Sequence, residues 1–246
     1  MAIVIEGGIN IGGNITIGGS GTPAPVLKLN LDAATYAGSG PWIDTVASRS
    51  FTLYNSPTYD ANTAGGCFTF SSASSQYAFC NSSLSNLSTW TVVAWHYYDG
   101  TNTGYAPCIV TELFPSNTNQ INYSLGSDLG GENTDLQIGY FNGGWQSTTT
   151  GINLTAGNWY QLVGTFDGTQ LKLYINNSLV DTANKPGNPI SGDSGIRLMR
   201  RWDDADYWGG KLGIVQVYEG AFSAQDVADN FNSNAARFGF GITVQS

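Results

Sequence analysis

The chain has 246 residues and a formal net charge of −9 at pH 7, and 11% of its residues are charged while 13% are aromatic. Nine Lys and Arg against eighteen Asp and Glu argue against nucleic-acid binding through phosphate neutralisation. The aromatic content excludes a disordered chain, and the length suits a single all-β domain. We therefore expect one folded unit whose acidic surface favours solubility.

The N-terminal segment contains a repeat. Residues 3–20 divide into three hexads that each begin Ile-x-Ile and carry Gly at the fifth position. This alternation predicts an extended strand with an isoleucine row on one face, which must pair with another surface to be hidden from water. Two interpretations stay open: a hairpin on the edge of the main domain, or a strand that anchors the chain or joins subunits, with a trimer as the first expectation. The assembly residues would be Ile3, Ile5, Ile9, Ile11, Ile15 and Ile17.

Two prolines before Val26 indicate a linker, so we divide the chain into an arm at 1–25 and a domain at 26–246. In the domain, short apolar alternations are separated by turn clusters, which predicts an antiparallel β-sandwich. One short helix should begin after Ser223, where Asp226 completes a capping box and Val227 and Phe231 share a face. Strands are predicted at 26–31, 50–54, 67–70, 76–80, 89–97, 108–112, 120–126, 136–141, 159–166, 170–176, 196–199 and 211–218.

Residues 158–180 begin Asn-Trp-Tyr-Gln-Leu-Val-Gly-Thr-Phe-Asp-Gly and continue through Leu-Tyr-Ile-Asn-Asn. This stretch resembles the central hairpin of laminin G-like and pentraxin-like domains. The stretches at 56–59 with 66–70, 89–95, and 207–218 with 221–224 are similar to other parts of the same family, in the family's order. The resemblance covers about residues 26–238. It implies an all-β antiparallel jelly-roll sandwich of the concanavalin A-like type, with one short C-terminal helix and an N-terminal Gly/Ile-rich extension.

The ending at 229–239, Asp-Asn-Phe-Asn-Ser-Asn-Ala-Ala-Arg-Phe-Gly, resembles the version of this domain in tailed-phage virion proteins, as does the Gly/Ile-rich leader. The resemblance implies a non-enzymatic fibre, spike or capsid decoration, with other virion proteins, itself and host surface glycans as partners. We expect assembly in the host cytoplasm, no signal peptide and no membrane span, because the N-terminus lacks a basic region and a long apolar stretch. The alternatives are a free bacterial carbohydrate-binding protein and, least favoured, a glycoside hydrolase.

Hydrolases of this fold need paired carboxylates on one face of a strand. None of the four glutamates has another carboxylate two residues away. The single histidine, His96, lies in a strand-like run, where we expect a strand-face residue rather than a base or a ligand. We expect Cys67, Cys80 and Cys108 to be buried thiols, and Trp90, Trp95 and Trp159 to lie in the core.

Two kinds of binding site have candidate residues. Sugar binding needs an aromatic platform with polar neighbours, and the loop-like segments offer Trp145, Arg200, Trp202 and Asp204. For each of these tryptophans, packing against the protein is the alternative and the favoured interpretation. Several family members bind calcium through loop carboxylates, which makes calcium the candidate cofactor, although the closing strand has Gly213 where the family often has Asp. The candidate calcium ligands are Asp32, Asp193, Asp203 and Asp206.

Overall fold

The computed structural model describes residues 23–84, 87–104, 107–113, 121–127, 136–148, 153–189, 194–201 and 206–241. Two antiparallel sheets of eight strands each pack face to face, and a small two-stranded sheet lies beside them. The isoleucine row at 3–17 lies outside the described residues, so its assembly role remains a prediction.

Sheet one contains the long strands that were predicted around the central hairpin. Its order is β15-β14-β13-β7-β18-β5-β4, and β1 also pairs with β18. The long strand β18 therefore has β7 on one side and both β5 and β1 on the other. The strands are β1 (Val26–Asp32), β4 (Thr58–Asp60), β5 (Cys67–Phe70), β7 (Trp90–Tyr98), β13 (Asn158–Phe166), β14 (Gln170–Ile175), β15 (Ser178–Asn184) and β18 (Gly210–Glu219).

Sheet two has the order β12-β11-β10-β9-β16-β6-β3-β2. Its strands are β2 (Trp42–Ile43), β3 (Ser50–Tyr54), β6 (Tyr77–Cys80), β9 (Cys108–Leu113), β10 (Ile121–Ser127), β11 (Leu136–Phe141), β12 (Trp145–Ser147) and β16 (Ile196–Leu198). The small sheet pairs β8 (Asn102–Thr103) with β17 (Tyr207–Trp208). Short 3-10 helices occupy Ala33–Thr35, Thr63–Gly65 and Ala235–Phe238.

Every predicted strand is present. The structure adds five strands of two or three residues, which give no readable alternation, and the seven-residue β15 (Ser178–Asn184), which was not predicted. The turns follow the sequence signals. Gly168 has φ 96° between β13 and β14, where the Asp167 carboxylate accepts backbone N–H bonds from Thr169 and Gln170. Asn176 and Asn177 both have positive φ between β14 and β15, as a tight hairpin turn requires.

The helix α1 (Ala224–Asn234) covers the outer face of sheet one. Its capping box is present: Ser223 Oγ accepts from the Asp226 N–H, and the Asp226 carboxylate accepts from the Ser223 N–H. Val227 and Phe231 are buried against strands β7, β13 and β18 as predicted. Because this helix closes sheet one from outside, the outer face of sheet two is the face that remains for other contacts.

Trp90 and Trp95 are fully buried, which confirms two of the core predictions. The prediction for Trp159 was wrong in degree, because this side chain is only half-buried. It lies at the start of β13 on the outer face of sheet one, where its ring packs on Phe238 at 4.8 Å and Tyr97 at 5.7 Å. The three cysteines are buried, and burial raises the pKa of the Cys67 and Cys80 thiols.

Candidate functional site

The outer face of sheet two carries a row of neighbouring side chains. The alternate residues Val110, Ile138 and Leu198 point inward and are fully buried in the core between the sheets. Their outward neighbours are aligned by the strand register. In pairing order the row contains Thr52, Phe79, Arg197, Thr111, Ser124, Gly139 and Ser147.

A second row lies two residues further along each strand, except on β9, where a register shift makes the step three residues. Its members are Tyr54, Tyr77, Cys108, Gly126 and Gln137. We call the outer surface formed by these two rows the polar face. Its central and β11 parts are closed, because Thr111, Ser124 and Gln137 are buried. Its β3 and β6 parts are open.

The open part of the polar face contains a stack of aromatic rings and a guanidinium group. The rings of Tyr54 and Tyr77 are parallel within 4°, with centroids 4.5 Å apart. The Arg200 guanidinium carbon lies 4.3 Å from the Tyr77 centroid and 5.3 Å from that of Tyr207. Arg197 makes a similar contact over Phe79 at 5.6 Å. We call Tyr54, Tyr77, Arg200 and Tyr207 the aromatic ladder, because successive groups lie above one another across the strands.

Arg200 reaches the aromatic ladder through an unusual backbone conformation at Met199. Met199 has φ 64°, and its side chain is fully buried in the core. In a regular strand, Met199 would follow Arg197 onto the polar face and Arg200 would point inward. The left-handed residue interrupts this alternation, so Met199 fills the core and Arg200 emerges beside Tyr77. This conformation costs on the order of 1 kcal/mol in a non-glycine residue, and the surrounding packing must offset it.

At the other end of the polar face, Trp145 lies across Gly139. A Cβ atom on Gly139 would come within 2.6 Å of Trp145 Cζ2, so only glycine leaves room for this ring. Trp145 was predicted to lie in a loop. It is in β12 and half-buried, because Phe141 opposite it extends the hairpin by one more pair. The buried indole Nε1 of Trp145 and the buried Oε1 of Gln137 make no hydrogen bond.

The candidate sugar-binding residues that the structure describes, Arg200 and Trp145, do not lie together. Arg200 belongs to the open aromatic ladder, and Trp145 lies at the opposite end of the polar face. Trp202 and Asp204 lie outside the described residues.

The candidate calcium ligands do not form a site among the described residues. The Asp32 carboxylate accepts from Ala34 N and from Arg237 Nη1 at 2.7 Å, and Asp206 pairs with Arg201 at 2.9 Å. Each carboxylate is thus paired with an arginine, which does not fit a calcium ligand, and no three His, Cys, Asp or Glu side chains come together as a metal site among the described residues. Asp193 and Asp203 lie outside the described residues.

Gly213 occupies the position on the closing strand where the family often has an aspartate. A Cβ atom at this position would come within 2.5 Å of the Phe238 ring. The C-terminal aromatic residue therefore occupies the space that a side chain would need. The absence of an aspartate here follows from packing against sheet one.

His96 is fully buried between the sheets, and its Nδ1 hydrogen-bonds the Lys211 carbonyl at 3.0 Å. Burial lowers the pKa of His96 to about 3, so the ring is neutral at physiological pH. The interior position confirms that His96 is a strand-face residue, and it removes the ring from contact with any ligand on the outer faces.

A family model described as the concanavalin A-like lectin/glucanases superfamily, of laminin G type, matches residues 71–228. The chain belongs to this superfamily. The matched concanavalin A-like region contains most of both sheets, including β6, β16 and the Arg200 part of the aromatic ladder. No curated protein sequence matches the chain.

Solved structures share the concanavalin A-like fold at low sequence identity. Domain 4 of an extracellular GH43 arabinanase from Geobacillus stearothermophilus, solved with arabinotriose, is 14% identical with a TM-score of 0.67, covering 83% of this chain and 98% of that one. The binding domain of Paraclostridial Mosquitocidal Protein 1 is also 14% identical with a TM-score of 0.65, covering 85% and 52%. A Trypanosoma rangeli sialidase in complex with the inhibitor DANA is 12% identical with a TM-score of 0.58, covering 82% and 32%. The chain thus spans nearly all of the arabinanase domain, about half of the toxin domain and a third of the sialidase.

Sequence reasoning missed the three tyrosines of the aromatic ladder. The alternation of apolar residues in β3 was a usable signal. Phe51 and Leu53 point inward, and since side chains alternate along a strand, Thr52 and Tyr54 must lie on the outside. The same rule applied to β6 places Tyr77 outside. The proximity of these strands to Tyr207 had no local signal, since it depends on sheet order.

Proposed function

We propose that this domain is a non-enzymatic glycan-binding module and that the aromatic ladder is its binding surface. The observation that carries the proposal is the position of Tyr54 at the open end of the stack, where its side chain is 38% exposed. Tyr77 covers one face of the Tyr54 ring, and the other face points toward the edge of the sheet. An exposed aromatic face is the platform on which the apolar face of a sugar ring packs.

The arginines supply the second requirement of a sugar site, which is a set of polar groups fixed in direction. Stacking on Tyr77 and Tyr207 holds the plane of the Arg200 guanidinium, and Phe79 does the same for Arg197. A guanidinium has five N–H donors in a rigid arrangement, so it can bind ligand hydroxyls in addition to its contacts within the protein. Both arginines belong to the β16 side of Tyr77 and Phe79, away from the exposed face of Tyr54, so they serve a ligand that extends from Tyr54 across the ladder. The arabinotriose complex of the similar arabinanase domain agrees with a sugar-binding use of this fold.

The two described rows of the polar face include no carboxylate side chain. Glycoside hydrolysis by a retaining or inverting mechanism uses a pair of carboxyl groups on either side of the scissile bond. This composition supports binding rather than hydrolysis. Release of reducing sugar from a glycan that binds the ladder would contradict the non-enzymatic part of the proposal.

A glycan array carrying neutral and acidic oligosaccharides, followed by titration calorimetry, tests the binding surface. We expect Tyr54→Ala to weaken the binding of any array hit by about tenfold or more, which corresponds to about 1.4 kcal/mol. The matched control is Tyr97→Ala, because Tyr97 is a half-buried tyrosine on the outer face of sheet one. Absence of any hit, or equal affinities for Tyr54→Ala and the unaltered chain, would show that the ladder does not bind glycans.

We further propose that the domain is displayed on a tailed-phage virion, as a fibre, spike or capsid decoration held by the leader at 1–25. The support is the isoleucine hexads of the leader and the resemblance of the C-terminal stretch to phage virion domains. A free bacterial glycan-binding protein is the alternative. Immunogold electron microscopy of particles from the source sample separates them: labelled virions support the proposal, and label confined to bacterial cells or medium contradicts it.

A further inference from the structure

A cavity of about 320 Å³ lies beside the aromatic ladder, at the edge of sheet two. It is lined by Gly40, Pro41, Ser50, Thr52 and Leu53. Strand β2 pairs with β3 only at Trp42 and Ile43, so the chain just before β2 stands away from β3 and leaves this space. Its volume is at the lower end of the range for small-ligand pockets.

The cavity wall is held in place rather than formed by a loose loop. The Tyr36 hydroxyl donates a hydrogen bond to the Gly40 carbonyl at 3.0 Å, and the Tyr36 ring packs edge-on against the buried Phe68. Gly40 itself has φ 81° and nothing within 4 Å of where a Cβ would lie. Tyr36 thus links the cavity wall at Gly40 to the core.

The cavity and the ladder share one strand. Ser50, Thr52 and Tyr54 are successive outward residues of β3, and all three are exposed. Alternate residues of a strand lie about 7 Å apart, so the exposed face of Tyr54 is next to the cavity mouth at Thr52. A ligand that packs on Tyr54 and extends along β3 enters the cavity.

The chemistry of the lining restricts the ligand. Two hydroxyl groups, from Ser50 and Thr52, stand beside apolar surface from Pro41 and Leu53, and no lining residue is charged. Hydroxyls can both donate and accept hydrogen bonds, which suits the hydroxyls of a neutral sugar. Resting on the proposed glycan-binding function, we propose that this cavity is a second subsite and that the ligand is a neutral oligosaccharide of at least two residues, bound along β3.

The test compares matched trisaccharides and monosaccharides: arabinotriose with arabinose, and maltotriose with glucose, titrated into the full chain and followed by NMR chemical shifts. We expect one trisaccharide to bind at least about tenfold more tightly than its monosaccharide. Ser50→Trp, which fills the cavity, should bring this ratio close to one and leave monosaccharide affinity unchanged. Thr52→Val, which removes one hydroxyl with little change in volume, should reduce the ratio by severalfold.

The control variant is Ser178→Trp, because Ser178 is an exposed serine on β15, the edge strand of sheet one. It should leave both affinities unchanged. A trisaccharide advantage that survives Ser50→Trp overturns the second subsite, while loss of binding in Tyr54→Ala would still support the ladder. If neither trisaccharide binds the unaltered chain more tightly than its monosaccharide, the oligosaccharide inference is wrong.

Discussion

Asp32 and Arg237 form an ion pair of 2.7 Å although they are 205 residues apart in the chain. Asp32 ends β1, and Arg237 lies in the 3-10 helix after α1. The same guanidinium donates to the carbonyls of Ala64 and Gly66. One side chain thus joins the first strand, the connection before β5 and the C-terminal segment.

We expect Arg237→Gln to lower the free energy of unfolding by about 2 kcal/mol, because several hydrogen bonds to a charged donor are lost at a partly buried position. Arg237→Lys should lower the free energy of unfolding by less than Arg237→Gln does, but it should not match the unaltered chain, since an ammonium cannot reach three acceptors with the guanidinium's geometry. Urea unfolding measures both. The Lys28–Glu219 pair, with side chains 37% and 49% exposed, is the comparison, and Lys28→Gln should cost well under 1 kcal/mol. Equal losses at the two sites would contradict this assignment.

Trp95 and Trp159 allow a second prediction, because they are tryptophans of neighbouring strands with different burial. The Trp95 ring is stacked on Phe238 at 4.3 Å and on Phe231 at 5.5 Å, and it is fully buried. Trp95→Ala should therefore lower the free energy of unfolding by about 3 to 5 kcal/mol. Trp159→Ala should lower it clearly less, because Trp159 is half-buried. Chemical denaturation of the two variants decides the order, and a larger loss at Trp159 would contradict the packing of α1 described above.

Acid should destabilise the domain through His96. The pKa of His96 is about 3 in the folded chain because of burial, against an ordinary value of 6.5. Below pH 6.5 the unfolded chain binds a proton that the folded chain does not, so stability is fully present above pH 6.5 and falls as the pH drops toward 3. The slope from this one group is about 1.4 kcal/mol per pH unit in that window.

His96→Asn isolates this contribution, because an Asn amide can keep the bond to the Lys211 carbonyl without titrating. Carboxylates such as Asp60 and Asp167, whose pKa values are lowered by hydrogen bonds, affect both proteins alike at low pH. The difference in unfolding free energy between the two proteins should therefore change steadily between pH 6.5 and 4. A difference independent of pH would show that His96 is protonated to the same extent in both states.

The leader at 1–25 provides a prediction that rests on sequence alone. We expect the full chain to form an oligomer, with a trimer as the first expectation, because an isoleucine row is best hidden against copies of itself. Deletion of 1–25 should leave a monomeric domain with nearly unchanged melting, since β1 begins at Val26. Light scattering and thermal unfolding of both forms test this. A monomeric full chain at micromolar concentration would limit the leader to an edge hairpin or to a contact with another virion protein, and loss of folding on deletion would make it part of the sandwich.

The sequence by itself was sufficient for most of the long strands, the turns and the helix cap, because these depend on neighbouring residues, but it did not predict β15 (Ser178–Asn184). The alternation in 159–166, the Asp167-Gly168 turn and the capping box at Ser223 each carry their signal within a few positions. Alternation alone does not account for the burial of both Trp90 and Trp95, because the two side chains lie on opposite faces of β7: Trp90 packs between the sheets and Trp95 is covered by the C-terminal helical segment. Very short strands such as Trp42–Ile43 were not predictable, because two residues cannot show a period.

Only the tertiary structure decided which residues form the candidate site. Tyr54, Tyr77 and Arg200 come together because β16 lies between β9 and β6, and β6 lies next to β3, a strand order that local sequence does not encode. The left-handed Met199 then reverses the alternation that would have buried Arg200. Asp32 shows how long-range pairing can also exclude a predicted site residue. Its carboxylate suits a calcium site by local sequence, but in the fold it pairs with Arg237 from the far end of the chain. Local patterns determine which way a side chain points from its strand, whereas long-range pairing determines what it meets there.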